Sequence, residues 1–318
     1  MSSHKKNKIC FIIPHFGEIP GYFDFFILTA SRLSPTIDFI FFTDQSIKPD
    51  SYVTNVFVEK MDILAFNNLC FKKLKIKTSI TNGYKLCDLK PMYGLLFEDY
   101  LHEYGYWGHC DFDMIFGDIQ SLLSKHEYQR FDIFCVQELY ASGPFQIFRN
   151  LNKVNSFFTI SPTWKNVFLR QDYIGFDEAG DVIRQLWAGK DIWDCKAEVH
   201  SMTHLLKDEQ LVQKLDLKIF MKELITENFS RGTKIIFDRG KLFIETGTKE
   251  IYIYHFMNRK NRFLFNDQLI NKKVETFFFS DYGFYTQNRF EFSYGLLVSL
   301  LKRCWVRFKR KIKNAKTS

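Results

Sequence analysis

Two short segments near the N-terminus are apolar at almost every position: "KICFIIPHFG" from Lys8 and "TIDFIFFTD" from Thr36. Runs of this length without alternation read as strands buried on both faces. The first is expected to run from Lys8 to Ile13 and stop at Pro14, opening into a loop with His15 and Gly17; the second ends at Thr43-Asp44. "NVFVEKM" predicts a third strand, and "GYFDFFILTASRL" between the first two has helical apolar spacing. From Tyr84 to Tyr104, Leu89, Met92, Tyr93, Leu96, Phe97, Tyr100 and Leu101 form one helical stripe, with Pro91 in the first turn. Strands alternating with helices predict an α/β chain with a mainly parallel sheet covered on both faces, its polar residues waiting at the strand ends.

"YWGHCDFDMIFGDI" (106–119) sets three aspartates among core-type residues. A strand over Tyr106–Cys110 would deliver Asp111 and Asp113 at its exit. Alternate residues of an extended chain point the same way, so the two carboxylates share a face and Phe112 takes the other. Two carboxylates that close suit Mg²⁺ or Mn²⁺, whereas without a cation each would raise the other's pKa. Asp118 is expected to cap the next helix. Further on, "RFDIFCVQ" and "GPFQIFRN" read as strands, and "YIGFDEAG" interrupts an aromatic context with Asp177 and Glu178. A more polar, helical stretch follows up to about Lys222, then a hairpin and a last strand ending in "YHF" at His255.

Composition changes this picture in two places. The 318 residues hold 36 Phe among 18% aromatics, enough apolar mass for a sizeable packed core. The net charge of +8 belongs to the end of the chain. Lys302, Arg303, Arg307, Lys309, Arg310, Lys311, Lys313 and Lys316 are eight of the 44 basic residues, and the remaining 36 equal the 36 acidic ones. A neutral body gives no general affinity for nucleic acid, so none is expected as partner. Leu296, Leu297, Leu300, Leu301, Cys304, Trp305, Phe308 and Ile312 form an apolar stripe opposite those basic residues. That pattern predicts an amphipathic helix suited to an anionic membrane surface. The N-terminus has no apolar run of signal-peptide length, and the seven cysteines form no CxxC pair. A cytoplasmic protein with reduced thiols is expected, peripheral on the inner face of the plasma membrane. His200 and His204 have the spacing of a helical metal pair, but without an HExxH glutamate a surface helix is expected instead.

"IIPHFG", "FTD", "YKLCDLKP", "WGHCDFDMIFGDI" and "HF" occur in that order over residues 8–260. The combination resembles metal-dependent, nucleotide-sugar glycosyltransferases of the GT-A fold, and more closely a bacterial family of polysaccharide-biosynthesis proteins. The resemblance implies a GT-A-type domain over 1–265, a Rossmann-like, mixed and mainly parallel sheet flanked by helices. Residues 266–318 would form a C-terminal extension. It also implies roles. Asp111 and Asp113 would hold Mn²⁺ or Mg²⁺, with His255 as a further ligand. Pro14, His15, Phe16 and Gly17 would cradle the nucleotide, and Asp44 would sit near base or ribose. Lys85 and Asp88 would contact the donor, and Asp177 or Glu178 would be the base of an inverting transfer. The implied donor is a nucleotide-diphosphate sugar, and the implied acceptor a glycan or lipid-linked glycan of bacterial surface polysaccharide or lipopolysaccharide. Lys85 or Arg259–Lys260 would help to bear the charge of the departing diphosphate. Two alternatives are a phosphohydrolase using the DxD and a module that binds nucleotide sugar without turnover.

Overall fold

The computed structural model of the chain describes residues 7–50, 53–227, 229, 233–244, 249–257, 274–280, 283–285 and 301. Its strands in chain order are β1 (Ile9–His15), β2 (Ile37–Thr43), β3 (Val56–Lys60), β4 (Tyr106–Cys110), β5 (Met114–Phe116), β6 (Ile133–Cys135), β7 (Phe145–Arg149), β8 (Ile219–Met221), β9 (Ile225–Thr226), β10 (Ile235–Asp238), β11 (Lys241–Ile244), β12 (Glu250–Ile251), β13 (Ile253–His255), β14 (Thr276–Ser280) and β15 (Gly283–Tyr285). The chain divides into two compact units, each assembled from three separate stretches. One takes Met1–Ile19, Ala30–Phe112 and Gln120–Ile225; the other takes Pro20–Thr29, Asp113–Ile119 and Thr226–Ser318.

The first unit is built on a seven-stranded sheet of order β3-β2-β1-β4-β7-β6-β8. β1 is parallel to β2 and β4, β2 to β3, and β6 to β8, while β7 runs antiparallel to both its neighbours. This is the mixed, mainly parallel α/β sheet expected from the apolar runs. β2 is buried at every position. That includes Asp38, whose carboxylate is matched by Lys8 at 2.6 Å and by the Tyr104 hydroxyl, donating at 2.8 Å. β1 continues two residues further than predicted, through Pro14 to His15. Its register with β4 ends at Phe11↔Gly108, so Pro14, which lacks an N–H, falls beyond that ladder and opposite Phe42 of β2. In β4 a side chain at Gly108 would meet the Gln146 carbonyl at 2.6 Å and the Phe11 ring at 2.7 Å. The strand that leads to Asp111 therefore requires glycine there.

The segment predicted as one helix over 84–104 folds as three pieces. Gly83–Met92 is a 3₁₀ helix of 10 residues, followed by α-helical turns at Tyr93–Leu96 and Glu98–Leu101. Asn82 caps the start, its side-chain oxygen accepting the Tyr84 N–H at 2.9 Å. Runs of 3₁₀ helix longer than 3–4 residues are uncommon, because side chains at i and i+3 eclipse. Here the eclipsing is used: Lys85 and Asp88 stack as an ion pair of 2.8 Å, both completely buried. The predicted stripe is otherwise kept. Leu89, Met92, Tyr93, Leu96, Phe97 and Leu101 are buried in the unit's main core, and Tyr100 alone of the stripe is exposed.

His200 and His204 do not form the predicted surface helix. The helix is Met202–Lys207, so His200 precedes it, and His204 is buried. Their rings stack at 4.8 Å, and the Ser201 N–H donates to His204 Nδ1 at 3.1 Å. Burial, then the neighbouring His200, lowers the His204 pKa to about 4, so the ring is neutral in the folded chain. A depressed histidine leaves stability intact above its unfolded pKa of roughly 6.5 and removes it as pH falls from there towards 4. Urea unfolding between pH 7 and pH 4 is expected to lose up to about 3 kcal/mol through this residue. The His204→Gln variant should show a flatter profile; an identical slope would contradict the assignment.

The second unit has an antiparallel five-stranded sheet of order β12-β11-β10-β14-β15. β10 and β11 form the predicted hairpin, whose two-residue loop, Arg239-Gly240, has φ of +46° and +91°, as a type I′ turn demands. The helix Phe23–Ala30 contributes Phe25 and Leu28 to its core, beside Ile115, Phe237, Tyr254, Phe277, Phe279 and Phe284. β5 pairs antiparallel with β13 in the register Met114↔His255, Ile115↔Tyr254, Phe116↔Ile253.

The basic group Arg259–Lys260 and, apart from Leu301, the predicted C-terminal helix lie outside the described residues, as does the expected boundary at 265. Among the described residues all six cysteines are free, and no helix is long and apolar enough to cross a membrane.

Candidate active site

Asp111 leaves β4 with its N–H bound to the Pro144 carbonyl at 2.9 Å. Its carboxylate Oδ1 accepts from Lys90 Nζ at 2.6 Å. The same ammonium donates to the Gly143 carbonyl at 2.9 Å and stands 3.8 Å from Asp177 Oδ2. Lys90 thus joins Asp111 to the acidic pair 66 residues further along the chain. Burial works against its charge, but Asp111 and Asp177 outweigh burial and hold its pKa well above the ordinary lysine value.

Gly143 is where the carboxylates converge. A Cβ there would lie 2.6 Å from Glu178 Oε1 and 2.8 Å from Asp177 Oδ2. Asp177 is buried, and its Oδ1 has no hydrogen-bond partner among the described residues. Burial first, then the charges of Glu178, Asp88 and Asp111, push its pKa well up against the pull of Lys90. Burial and the neighbouring carboxylates thus oppose the charged form of Asp177, and Lys90 favours it. Glu178 is half-buried, with the Tyr173 hydroxyl 3.4 Å from Oε2.

The loop that carries this pair is anchored by Asp88. Its Oδ2 accepts from Lys85 Nζ at 2.8 Å and from the Ile174 N–H at 2.9 Å, and its Oδ1 from the Phe176 N–H at 2.7 Å. Lys85 also donates to the Asp172 carbonyl at 2.8 Å. Both side chains are fully buried, with their polar atoms engaged inside the fold. These bonds form a bracket around residues 172–176.

At the ends of β1 and β2, the Gly17 N–H donates to Asp44 Oδ1 at 2.9 Å, and Gln45 Nε2 donates to the same atom at 3.0 Å. These bonds hold the Asp44 carboxyl below its usual range, so it is ionised near neutral pH. His15 bonds the Glu18 carbonyl at 3.1 Å and packs edge-on against Phe112 at 4.7 Å. The Phe16 and Phe66 rings lie 5.8 Å apart. Pro14, His15, Phe16, Gly17 and Asp44 therefore form one loop cluster, and Phe112 ties it to the DxD turn.

His255 lies next to Asp113 for a topological reason. The β5/β13 register puts His255 opposite Met114, and the Phe256 N–H donates to the Asp113 carbonyl at 3.1 Å. His255 Nε2 is 3.3 Å from Asp113 Oδ1, and Nδ1 is 2.8 Å from Glu227 Oε1. Only Phe112 separates Asp113 from Asp111 along the chain. Asp111, Asp113 and His255 can each offer a ligand atom within 4.8 Å of the others. Two hard carboxylates and one imidazole, with no sulfur, fit Mn²⁺ or Mg²⁺ and leave room for further oxygen ligands.

Residues 11–288 match the model of a family described as "Family of unknown function (DUF6625)". The chain belongs to DUF6625. A comparison with curated proteins finds no match. Among solved structures, this DUF6625 chain is similar to mouse xyloside xylosyltransferase 1 in its apo form. That likeness covers 78% of this chain and 96% of the other, at 9% identity and a TM-score of 0.39. It is also similar to the galactosyltransferase LgtC in complex with donor and acceptor sugar analogs. There 51% of this chain and 64% of the other are covered, at 10% identity and a TM-score of 0.31.

Three contributors to the site in this DUF6625 chain belong to no motif: Gly143, Tyr173 and Glu227. Lys90 lies within "YKLCDLKP", five residues after Lys85. In a 3₁₀ helix that spacing separates the faces of the two lysines, so each serves a different carboxylate.

Proposed function

We propose that the protein is a metal-dependent glycosyltransferase. It would move a sugar from a nucleotide-diphosphate sugar to a glycan or lipid-linked acceptor in the synthesis of bacterial surface polysaccharide or lipopolysaccharide. The observation that carries the reading is the cluster of Asp111, Asp113 and His255 at the exit of β4, beside the acidic pair reached through Lys90. A divalent ion held there supplies positive charge against the negative charge that builds on a departing diphosphate. The chain's own residues do the rest. The Pro14–Gly17 loop cradles the nucleotide, and the ionised Asp44 accepts from ribose or base. Lys90 orients the Asp111 carboxylate. In an inverting transfer the half-buried Glu178, beside Asp177, takes the proton of the acceptor hydroxyl. Lys85 and Asp88 act on the donor only through the loop they hold. Residues 266–318 bring the enzyme to the cytoplasmic face of the plasma membrane, a reading supported by their charge pattern.

The test is release of nucleoside diphosphate from a panel of UDP-, GDP- and dTDP-sugars, with and without Mn²⁺. Metal-dependent release from at least one sugar nucleotide is expected. Hydrolysis of simple phosphomonoesters with no action on any sugar nucleotide would replace the reading with a phosphohydrolase. Metal-dependent binding without turnover on any acceptor would leave a binding module. The same protein should co-sediment with anionic vesicles and cease to do so without residues 293–318.

A further inference from the structure

Glu227 belongs to no motif, yet its carboxylate Oε1 stands 2.8 Å from His255 Nδ1. Its side chain keeps 15% of its accessible surface, and that of His255 keeps 7%. An ionised carboxylate only accepts, so this bond requires the proton on Nδ1. In the neutral ring the lone pair is then on Nε2, the nitrogen 3.3 Å from Asp113 Oδ1. A lone pair set against a carboxylate oxygen at that distance is repulsive unless positive charge is shared between them. With the proton on Nδ1, Nε2 is the ring nitrogen turned towards Asp113 and the one able to carry a metal ion.

We propose that Glu227 is the positioning residue for His255 as a metal ligand. It holds the ring through Nδ1–H and so fixes its orientation and tautomer. This rests on the metal-site reading of Asp111, Asp113 and His255. Outer partners of this kind change metal affinity by about 10–100-fold when removed, without being ligands themselves.

The experiment is direct titration of the full-length chain with Mn²⁺ alone, following the free-ion signal by electron paramagnetic resonance. Wild type, Glu227→Ala, Glu227→Gln and Asp113→Asn are compared, and the melting temperature of each is taken. Glutamine keeps an acceptor oxygen for Nδ1–H, so Glu227→Gln should bind within about threefold of wild type, whereas Glu227→Ala should bind about 10–100-fold more weakly. Asp113→Asn reports on the underlying site. If wild type binds Mn²⁺ and Asp113→Asn does not, but Glu227→Ala binds as wild type, the positioning role is overturned and the metal site stands. Equal weakening in the Ala and Gln variants would also overturn it, because the loss would then follow charge rather than orientation. If wild type binds no Mn²⁺, both the site and the role fall.

Discussion

Asp113→Ala is expected to lower sugar-nucleotide turnover by about 10³-fold or more, and to remove its dependence on Mn²⁺. The magnitude follows from what the residue supplies. A bound divalent ion contributes several kcal/mol of charge stabilisation at a leaving diphosphate, and each 1.36 kcal/mol is a factor of about ten. The Asp113 carbonyl accepts from the Phe256 N–H at 3.1 Å, and its carboxylate stands 3.3 Å from His255. Its loss leaves Asp111, whose Oδ1 is already engaged by Lys90, and one imidazole. Asp113→Asn keeps the size and one oxygen and separates charge from packing. It should lose nearly as much turnover with little change in melting temperature. Turnover within threefold of wild type in both variants would contradict the assignment.

The largest effect on stability is expected at Asp88. Its two oxygens accept three hydrogen bonds, from the Lys85 ammonium and from the N–H groups of Ile174 and Phe176, with no exposed surface on either partner of the ion pair. Truncation to Ala leaves a buried ammonium with the Asp172 carbonyl alone and strands two N–H groups. Breaking a buried pair by removing one partner costs about 3–5 kcal/mol, and each orphaned donor adds to that, though not additively. Asp88→Ala should therefore lower the melting temperature by roughly 10 °C or more. Activity should fall further than stability explains, because the same bonds hold the approach to Asp177 and Glu178. A melting temperature within 2–3 °C of wild type would show that the bracket is not what holds the loop.

The parts legible in the sequence are those where one physical demand dominates. Continuous apolar runs could only be strands buried on two faces, and β1 and β2 are that. Asp111 and Asp113 stood out because charge at the exit of a core strand needs a reason, and "YHF" stood out because it ends a late strand. What was hidden depends on contacts distant along the chain. Lys85 and Asp88 read as donor contacts, and nothing local announces that Ile174 and Phe176 need the Asp88 oxygens. Lys90 reads as one more lysine until the chain brings Asp111 and Asp177 to it. The helix over 84–104 was misread because its apolar spacing serves a 3₁₀ segment as well as an α-helix. His204 was assigned to a surface because a histidine pair at i, i+4 says nothing about what packs over it. The second unit joins Pro20–Thr29, Asp113–Ile119 and the chain after Thr226, a grouping that no local pattern encodes.

One measurement bears most directly on the central claim that Asp111, Asp113 and His255 form a metal site for a nucleotide-sugar donor. It is calorimetric titration of UDP and GDP into the full-length protein with Mn²⁺, with chelator, and with Mn²⁺ in the Asp113→Ala variant. The account predicts that at least one nucleotide binds in the presence of Mn²⁺, and that this binding disappears both with chelator and in the variant. Nucleotide binding that is equal in all three conditions would contradict it.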